Sequence, residues 1–286
     1  MSTREEILKR VEAVPALPTS TARVFELLDC PDVAVSELLL IAQHDPALTG
    51  NALRLANSAA FAQTDVTSLR DAFVRLGNKQ AMELIVASAV VPLESSALAG
   101  YDLIPGQLLQ HAIAVAVGTE ELGKALHLRV PAYTFTAGVL HDIGKTVLSM
   151  LLEVEGQEVV DLAYQDGIPF EEAERKVLGT DHAEVGAHLL AHWQLPAAIV
   201  ETVRWHHQPD GVGYSLLRGV DLVHVADTLA LAEGIGAGID GLNYRPSAES
   251  LSRLKMNMTL IERVMCATLG RLDSLSELLG IGMERS

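Results

Sequence analysis

The residues of this chain best suited to chemistry are an adjoining histidine and aspartate, His141 and Asp142, in the stretch Gly-Val-Leu-His-Asp-Ile-Gly-Lys at 138–145. Adjacent side chains at a helix end diverge, so the imidazole can hold one metal ion while the carboxylate bridges to a second. Gly144 permits a sharp turn after them, and Lys145 is placed to meet an anionic oxygen on a ligand. A HisAsp dipeptide alone is common by chance. A second one, His44-Asp45, precedes Pro46, and its aspartate reads as a helix N-cap. The first pair is distinguished by its company. His111 lies upstream, His182 sits in Gly-Thr-Asp-His-Ala-Glu-Val-Gly at 179–186, and His206 and His207 sit in Trp-His-His-Gln-Pro at 205–209. Asp227 closes Val-His-Val-Ala-Asp at 223–227. Histidine and carboxylate ligands delivered from separate helices are how helical bundles build metal sites.

The set His111, His141, Asp142, His182, His206, His207 and Asp227 exceeds the four ligands of a tetrahedral zinc site, so two ions are expected, with Asp142 bridging. Mixed imidazole and carboxylate donors favour iron or manganese, with zinc or magnesium compatible. Asp142 and Lys145 are the expected catalytic groups if the centre turns over a phosphate-containing ligand. Each histidine taken singly fits a hydrogen-bonded core or surface residue equally well; the ordered set is what favours metal. Among the others, His127 reads as a helix C-terminal residue. His188 and His192, four apart but without the glutamate of a zinc-protease helix, read as a solvated face. His224, one turn before Asp227, reads as hydrogen-bonding support for the ligands.

These residues must be held by helices. The composition is 49% hydrophobic but only 4% aromatic, rich in alanine and leucine, which form helices well and strands poorly. Proline, glycine and capping residues divide the chain into helix-sized pieces. The first follows Pro15 and Pro18, carries Val24, Leu27 and Leu28, and ends at Pro31; a second, after Ser36, runs from Leu38 to Gln43. Asp45-Pro46 opens another, Ser68 one that Gly77 closes, and the apolar segment 80–91 reads as central. Further helices are expected at about 107–127, 131–141, 145–154, 157–166, 170–178, 182–193, 197–206 and 216–233, then two or three short ones over 247–279. No window alternates with period two, so the fold class is all-α. The stretch 94–106 and the four glycines of 234–243 mark breaks, which divides the chain into lobes at 1–100 and 101–230 and a helical tail at 231–286.

A net charge of −16 opposes a phosphate backbone, so nucleic acid is not an expected partner. Two cysteines, Cys30 and Cys266, far apart and without a CxxC, fit a reducing cytoplasm. The N-terminus is charged and reads as no signal peptide. The longest apolar run, 84–93, is about half the ~20 residues a membrane helix needs, so no membrane association is expected.

The order of histidines and aspartates resembles the HD superfamily of helical metal-dependent phosphohydrolases. Leu17-Pro18, Asp45-Pro46-Ala47-Leu48, Arg54-Leu55-Ala56-Asn57-Ser58-Ala59, Ala72-Phe73-Val74-Arg75-Leu76-Gly77 and Asp181-His182-Ala183-Glu184-Val185-Gly186 narrow the likeness to the HDOD family. It covers about residues 7–230. The resemblance implies a two-lobed helical bundle acting as an output or adaptor module in bacterial signalling, with partner signalling proteins supplied in trans. It further implies a docking face near Asp45-Pro46 and Asn57-Ser58. Many members have lost their metal ligands, and this chain keeps them. His206-His207 and Asp210-Gly211-Val212-Gly213-Tyr214 are also similar to HD-GYP phosphodiesterases. There Gln208 replaces a glutamate, Ser215 replaces a proline, and the spacing before Asp210 is one residue short, which predicts weak or no hydrolysis of cyclic di-GMP. Two functions follow: a regulatory HDOD module with a retained, dinuclear metal site, or a metal-dependent phosphohydrolase acting on a nucleotide or phosphodiester.

Overall fold

With few aromatic rings to bridge wide gaps, leucine and alanine at helical spacing bury best by packing helix on helix. A computed structural model describes residues 3–15, 27, 35–43, 46–57, 65–241 and 243–279. Among the described residues there are thirteen α-helices and no strand. They are α1 (Thr3–Glu12), α2 (Val35–Ala42), α3 (Pro46–Ala56), α4 (Leu69–Glu94), α5 (Gln107–Ala125), α6 (Thr134–Leu140) and α7 (Lys145–Asp166). Then follow α8 (Phe170–Leu178), α9 (His182–His192), α10 (Ala197–Trp205), α11 (Tyr214–Ala232), α12 (Ala248–Arg253) and α13 (Met258–Leu279). The all-α expectation holds, and no described helix is long and apolar enough to cross a membrane.

Local sequence sets the helix ends. Ser68, Asp181 and Ser247 each accept a hydrogen bond from the backbone N–H three residues on. Gly167 and Gly179 end α7 and α8 in the left-handed conformation. The middle of the molecule is α5, buried at nearly every position of 108–123. Helices α6, α11 and α13 pack around it, α10 packs on α9, and α1 lies across α9 with Arg4 paired to Glu184 at 2.5 Å.

Three sequence expectations need adjustment, and the expected helix end at Gly77 is kept. Residues 145–154 and 157–166 form one helix, because a single glycine, Gly156, costs only about 1 kcal/mol relative to alanine and does not break a packed helix. The helix that Ser68 opens does close at Gly77, which is non-helical (φ +78°, ψ 164°) and kinks α4 between its two halves. The tail holds one short helix and one of 22 residues. Helix α1 carries no proline or glycine punctuation and was not anticipated; Ile7 and Val11, one turn apart, bury it. His44-Asp45, Val24 and Leu28 lie outside the described residues.

One charge network ties the last helix to the bundle. Arg271 on α13 contacts Glu83 at 3.1 Å, Glu120 at 3.0 Å and Glu121 at 2.9 Å, from α4 and α5. Burial, then the neighbouring charge of Glu120, pushes the Glu83 carboxyl up to about 8. Its proton therefore stabilises the fold fully below the ordinary value of 4.5, and that stabilisation is lost as pH rises through about 8. Removing Arg271 takes away the one counter-charge the three carboxylates share, leaving Lys79 at 2.7 Å from Glu120 and Lys124 at 2.7 Å from Glu121. We expect Arg271→Ala to cost about 2–3 kcal/mol at pH 8, below the ~3–5 of a fully buried pair because the guanidinium is partly exposed, and clearly less at pH 5. Urea unfolding at both pH values checks this; equal losses would contradict it.

Candidate metal centre

Five separate parts of the chain deliver the expected ligands to one point. His111 projects from α5, and His141 and Asp142 sit in the turn between α6 and α7. His182 is the first residue of α9, His206 and His207 follow the last turn of α10, and Asp227 lies on α11. Close packing fixes the central turn. A Cβ on Gly144 would lie 2.0 Å from the His182 carbonyl oxygen and 2.5 Å from the Gly186 nitrogen, so the chain after Asp142 rests directly on the first turn of α9.

Asp142 is the hub. Its Oδ2 lies 3.3 Å from His141 Nε2 and 3.7 Å from His111 Nε2, and its Oδ1 lies 3.4 Å from His182 Nε2 and 3.9 Å from His206 Nε2. On one side Asp227 Oδ1 approaches His111 Nε2 at 3.0 Å and His141 Nε2 at 3.8 Å. On the other, His207 Nε2 approaches His182 Nε2 at 2.7 Å. One nitrogen or oxygen from each of Asp142, His182, His206 and His207 falls within 4.8 Å of the others, and so does one from each of His111, His141 and Asp142. All seven expected ligands meet. Lys145 Nζ stands 2.5 Å from Asp142 Oδ2 and also bonds Asp240.

The imidazoles are aimed. Nδ1 of His111 contacts the Ile235 carbonyl at 2.9 Å, that of His141 the Gly138 carbonyl at 2.8 Å, and that of His206 the Val203 carbonyl at 2.7 Å. His182 Nδ1 meets Glu174 Oε2 at 2.8 Å. Each Nδ1 donates outward, which turns the Nε2 lone pair inward. His141 Nε2, His206 Nε2 and Asp142 Oδ1 are enclosed and have no hydrogen-bond partner. Buried polar atoms without partners are costly, and three of them converging on one point is the arrangement a cation satisfies. Residue types, aim and orphaned donors all fit divalent metal.

Charge follows the same plan. Burial works against the Asp142 carboxylate, yet His141 and Lys145 hold it well below the ordinary range. Asp227, opposed by burial but bonded to His111, is likewise lowered. Burial, reinforced by the neighbouring His141, pushes His206 down to about 3, and burial with His206 lowers His207, so both offer neutral nitrogens near neutral pH. His182 goes the other way: burial opposes its charge, but Glu174 lifts it to about 9. A metal must displace that proton.

Comparison with known proteins agrees with this fold. The HDOD domain family matches residues 14–209. The chain belongs to the HDOD family. An HDOD domain protein with unknown function from Geobacter sulfurreducens has a similar structure, with TM-score 0.68 and 25% identity, covering 97% of this chain and 96% of that one. A protein from Shewanella amazonensis SB2B named "Putative phosphohydrolase" is similar at TM-score 0.61 and 26% identity, covering 96% of this chain and 95% of that one. An uncharacterized protein of Treponema pallidum is 25% identical over 203 residues, which are 70% of this chain but only 39% of that longer protein. The HDOD match ends before Asp227, so the α11 ligand and all that follows it lie outside the matched region.

The remaining histidines of this HDOD protein fall as expected where they are described. His127 is exposed just beyond α5, and His188 and His192 lie on the outer side of α9. His224 braces the site: its Nδ1 contacts the His206 carbonyl at 2.7 Å and its Nε2 accepts from the Ser247 N–H. Four participants were not legible beforehand. Glu174 orients His182 and accepts from the Tyr101 hydroxyl at 2.6 Å, while Tyr244 donates to Asp227 Oδ2 at 2.6 Å and Asp240 pairs with Lys145. Glu174→Gln should keep the fold and weaken divalent metal binding about 10–100-fold, because His182 loses the partner that fixes its ring. Competition titration against a chelating dye measures it, and an unchanged affinity would remove Glu174 from the site.

Proposed function

We propose that this HDOD protein is a regulatory module of bacterial signalling whose metal centre is dinuclear and recognises a phosphate-containing ligand. The observation that carries the reading is the aim of the side chains: four imidazoles anchored through Nδ1, with the Asp142 carboxylate between two groups of donors. His111, His141 and Asp227 would hold one ion, His182, His206 and His207 the other, and Asp142 would share its oxygens between them. Bound divalent metal supplies Lewis acidity toward a phosphoryl oxygen and lowers the pKa of water. Lys145 adds a fixed positive charge at the wall of the same pocket. Tyr244 holds the Asp227 carboxylate in place through Oδ2, leaving Oδ1 on the side of His111 Nε2. Iron or manganese suits this donor set best. Signalling proteins acting in trans are the partners this reading requires, docking on the N-terminal helices near Asn57. That side chain is exposed even though it bridges both backbone groups of Val66.

A second reading, metal-dependent hydrolysis of a nucleotide or phosphodiester, is favoured by one observation: Lys145 beside Asp142, an ammonium where developing phosphoryl charge needs it. Two experiments test this, the first the metal centre that both readings need and the second which reading holds. Elemental analysis of protein purified without chelators should find two divalent ions per chain, none in Asp142→Ala. Chelation should lower Tm by about 5–10 °C, as the loss of ~3 kcal/mol of ligand stabilisation implies for a chain of this size. Less than one ion per chain would remove the dinuclear proposal. In the second, cyclic di-GMP incubated with the manganese-loaded protein should remain intact, because Gln208, Ser215 and the short loop depart from the HD-GYP pattern. Turnover that vanishes in Asp142→Ala would favour the enzyme.

A further inference from the structure

After α11 the chain turns back over the metal pocket as a strap, residues 234–241 and 243–244. It touches the site at three places. The Ile235 carbonyl accepts from His111 Nδ1, Asp240 Oδ2 pairs with Lys145 Nζ, and the Tyr244 hydroxyl donates to Asp227 Oδ2. Its glycines explain how close it lies. A Cβ on Gly236 would stand 2.6 Å from His111 Cβ, and one on Gly238 would stand 2.2 Å from the Tyr101 carbonyl oxygen. A strap with side chains at those positions could not reach the pocket.

Asp240 is the unexplained part. It belongs to none of the ligand groups, yet it lines the cavity formed with Asp142, Lys145, His182 and Asp227. Its carboxylate is 7% exposed, and while Oδ2 meets Lys145, Oδ1 is enclosed with no partner. A buried carboxylate with one oxygen unsatisfied is poorly accommodated and regains hydration when released. It also presents to Lys145 the same kind of oxyanion that a phosphate presents.

From these contacts we infer that Asp240 is an internal, displaceable occupant of the anion position at Lys145, and that a phosphate or phosphate monoester binds by expelling it and lifting the strap. The inference rests on the reading that the metal centre accepts phosphate. The strap leads directly to Ser247, whose N–H bonds His224, and then to α12 and α13. Occupancy of the pocket is thereby converted into a change at the C-terminal helices, and by reciprocity anything that holds those helices down opposes the ligand.

The test uses the full chain loaded with manganese, with metal content measured on every sample. Calorimetric titration with inorganic phosphate compares the wild type with Asp240→Asn, which leaves Lys145 paired to Asp142. The expected result is phosphate binding at least tenfold tighter in the variant, with metal content unchanged. In the wild type, phosphate should also accelerate hydrogen exchange at amides 236–241, and this measurement decides alone if the variant fails to fold. Equal affinities together with unchanged strap exchange overturn the inference. Loss of manganese from Asp240→Asn overturns it too, by making Asp240 part of the metal site. If both proteins hold metal and neither binds phosphate, the inference falls and the metal centre stands; if neither holds metal, both fall.

Discussion

Asp142 carries a carboxylate that is buried, faces four imidazoles and one ammonium, and has to satisfy both sides of a divided pocket at once. An isolated charge so enclosed would be intolerable. It persists because α5, α9, α10 and its own turn each present a positive or potentially positive group to it, and that demand fixes where these elements go. The turn holding Asp142 must sit against α9, which Gly144 makes sterically feasible. Helix α9 must begin at His182, and the Asp181 cap starts it there by accepting from the Glu184 N–H. Helix α10 must stop at Trp205 so that two consecutive histidines leave its end together, their ring centroids 3.9 Å apart.

The burial cost is spread outward through hydrogen bonds. His182 leans on Glu174, Glu174 on Tyr101, and His206 on its own helix and on His224. Such connected polar networks are worth having only when nearly complete, since each missing partner exposes the low dielectric of the interior. Within this network the atoms left over include His141 Nε2, Asp142 Oδ1 and His206 Nε2 at the centre, where a cation would complete them, and Asp240 Oδ1.

Much of this was legible in the sequence, for a physical reason. Histidines and aspartates spread through an alanine- and leucine-rich chain are conspicuous, so the seven side chains that meet around Asp142 stand out in the sequence. Helix limits near the site followed from Asp181, Gly167 and Gly179, whose local chemistry acts within one turn. The supporting residues were opaque because their types are ordinary. Glu174 sits in α8 among Glu171, Glu172, Arg175 and Lys176, a composition that reads as a solvated surface, and only the docking of neighbouring helices encloses it. Tyr101 and Asp240 fall in stretches that looked like mere breaks between helices. A glycine-rich segment read by itself signals a turn; that two of its glycines exist to let backbone touch His111 and Tyr101 depends on partners more than a hundred residues away.

That separation governs how the molecule comes into being. His111 bonds a carbonyl 124 residues downstream, Asp227 lies 116 residues beyond the same histidine, and Lys145 meets Asp240 across 95 residues. Helices form locally and fast, but loops of this length close slowly, because the chain loses freedom long before the contacts that compensate for it are made. During synthesis, His141 and Asp142 emerge well before Asp227, Asp240 and Tyr244 can reach them. Until then the nascent bundle carries its most polar surface open to water, so the order in which that cluster closes is written into the linear order of its side chains.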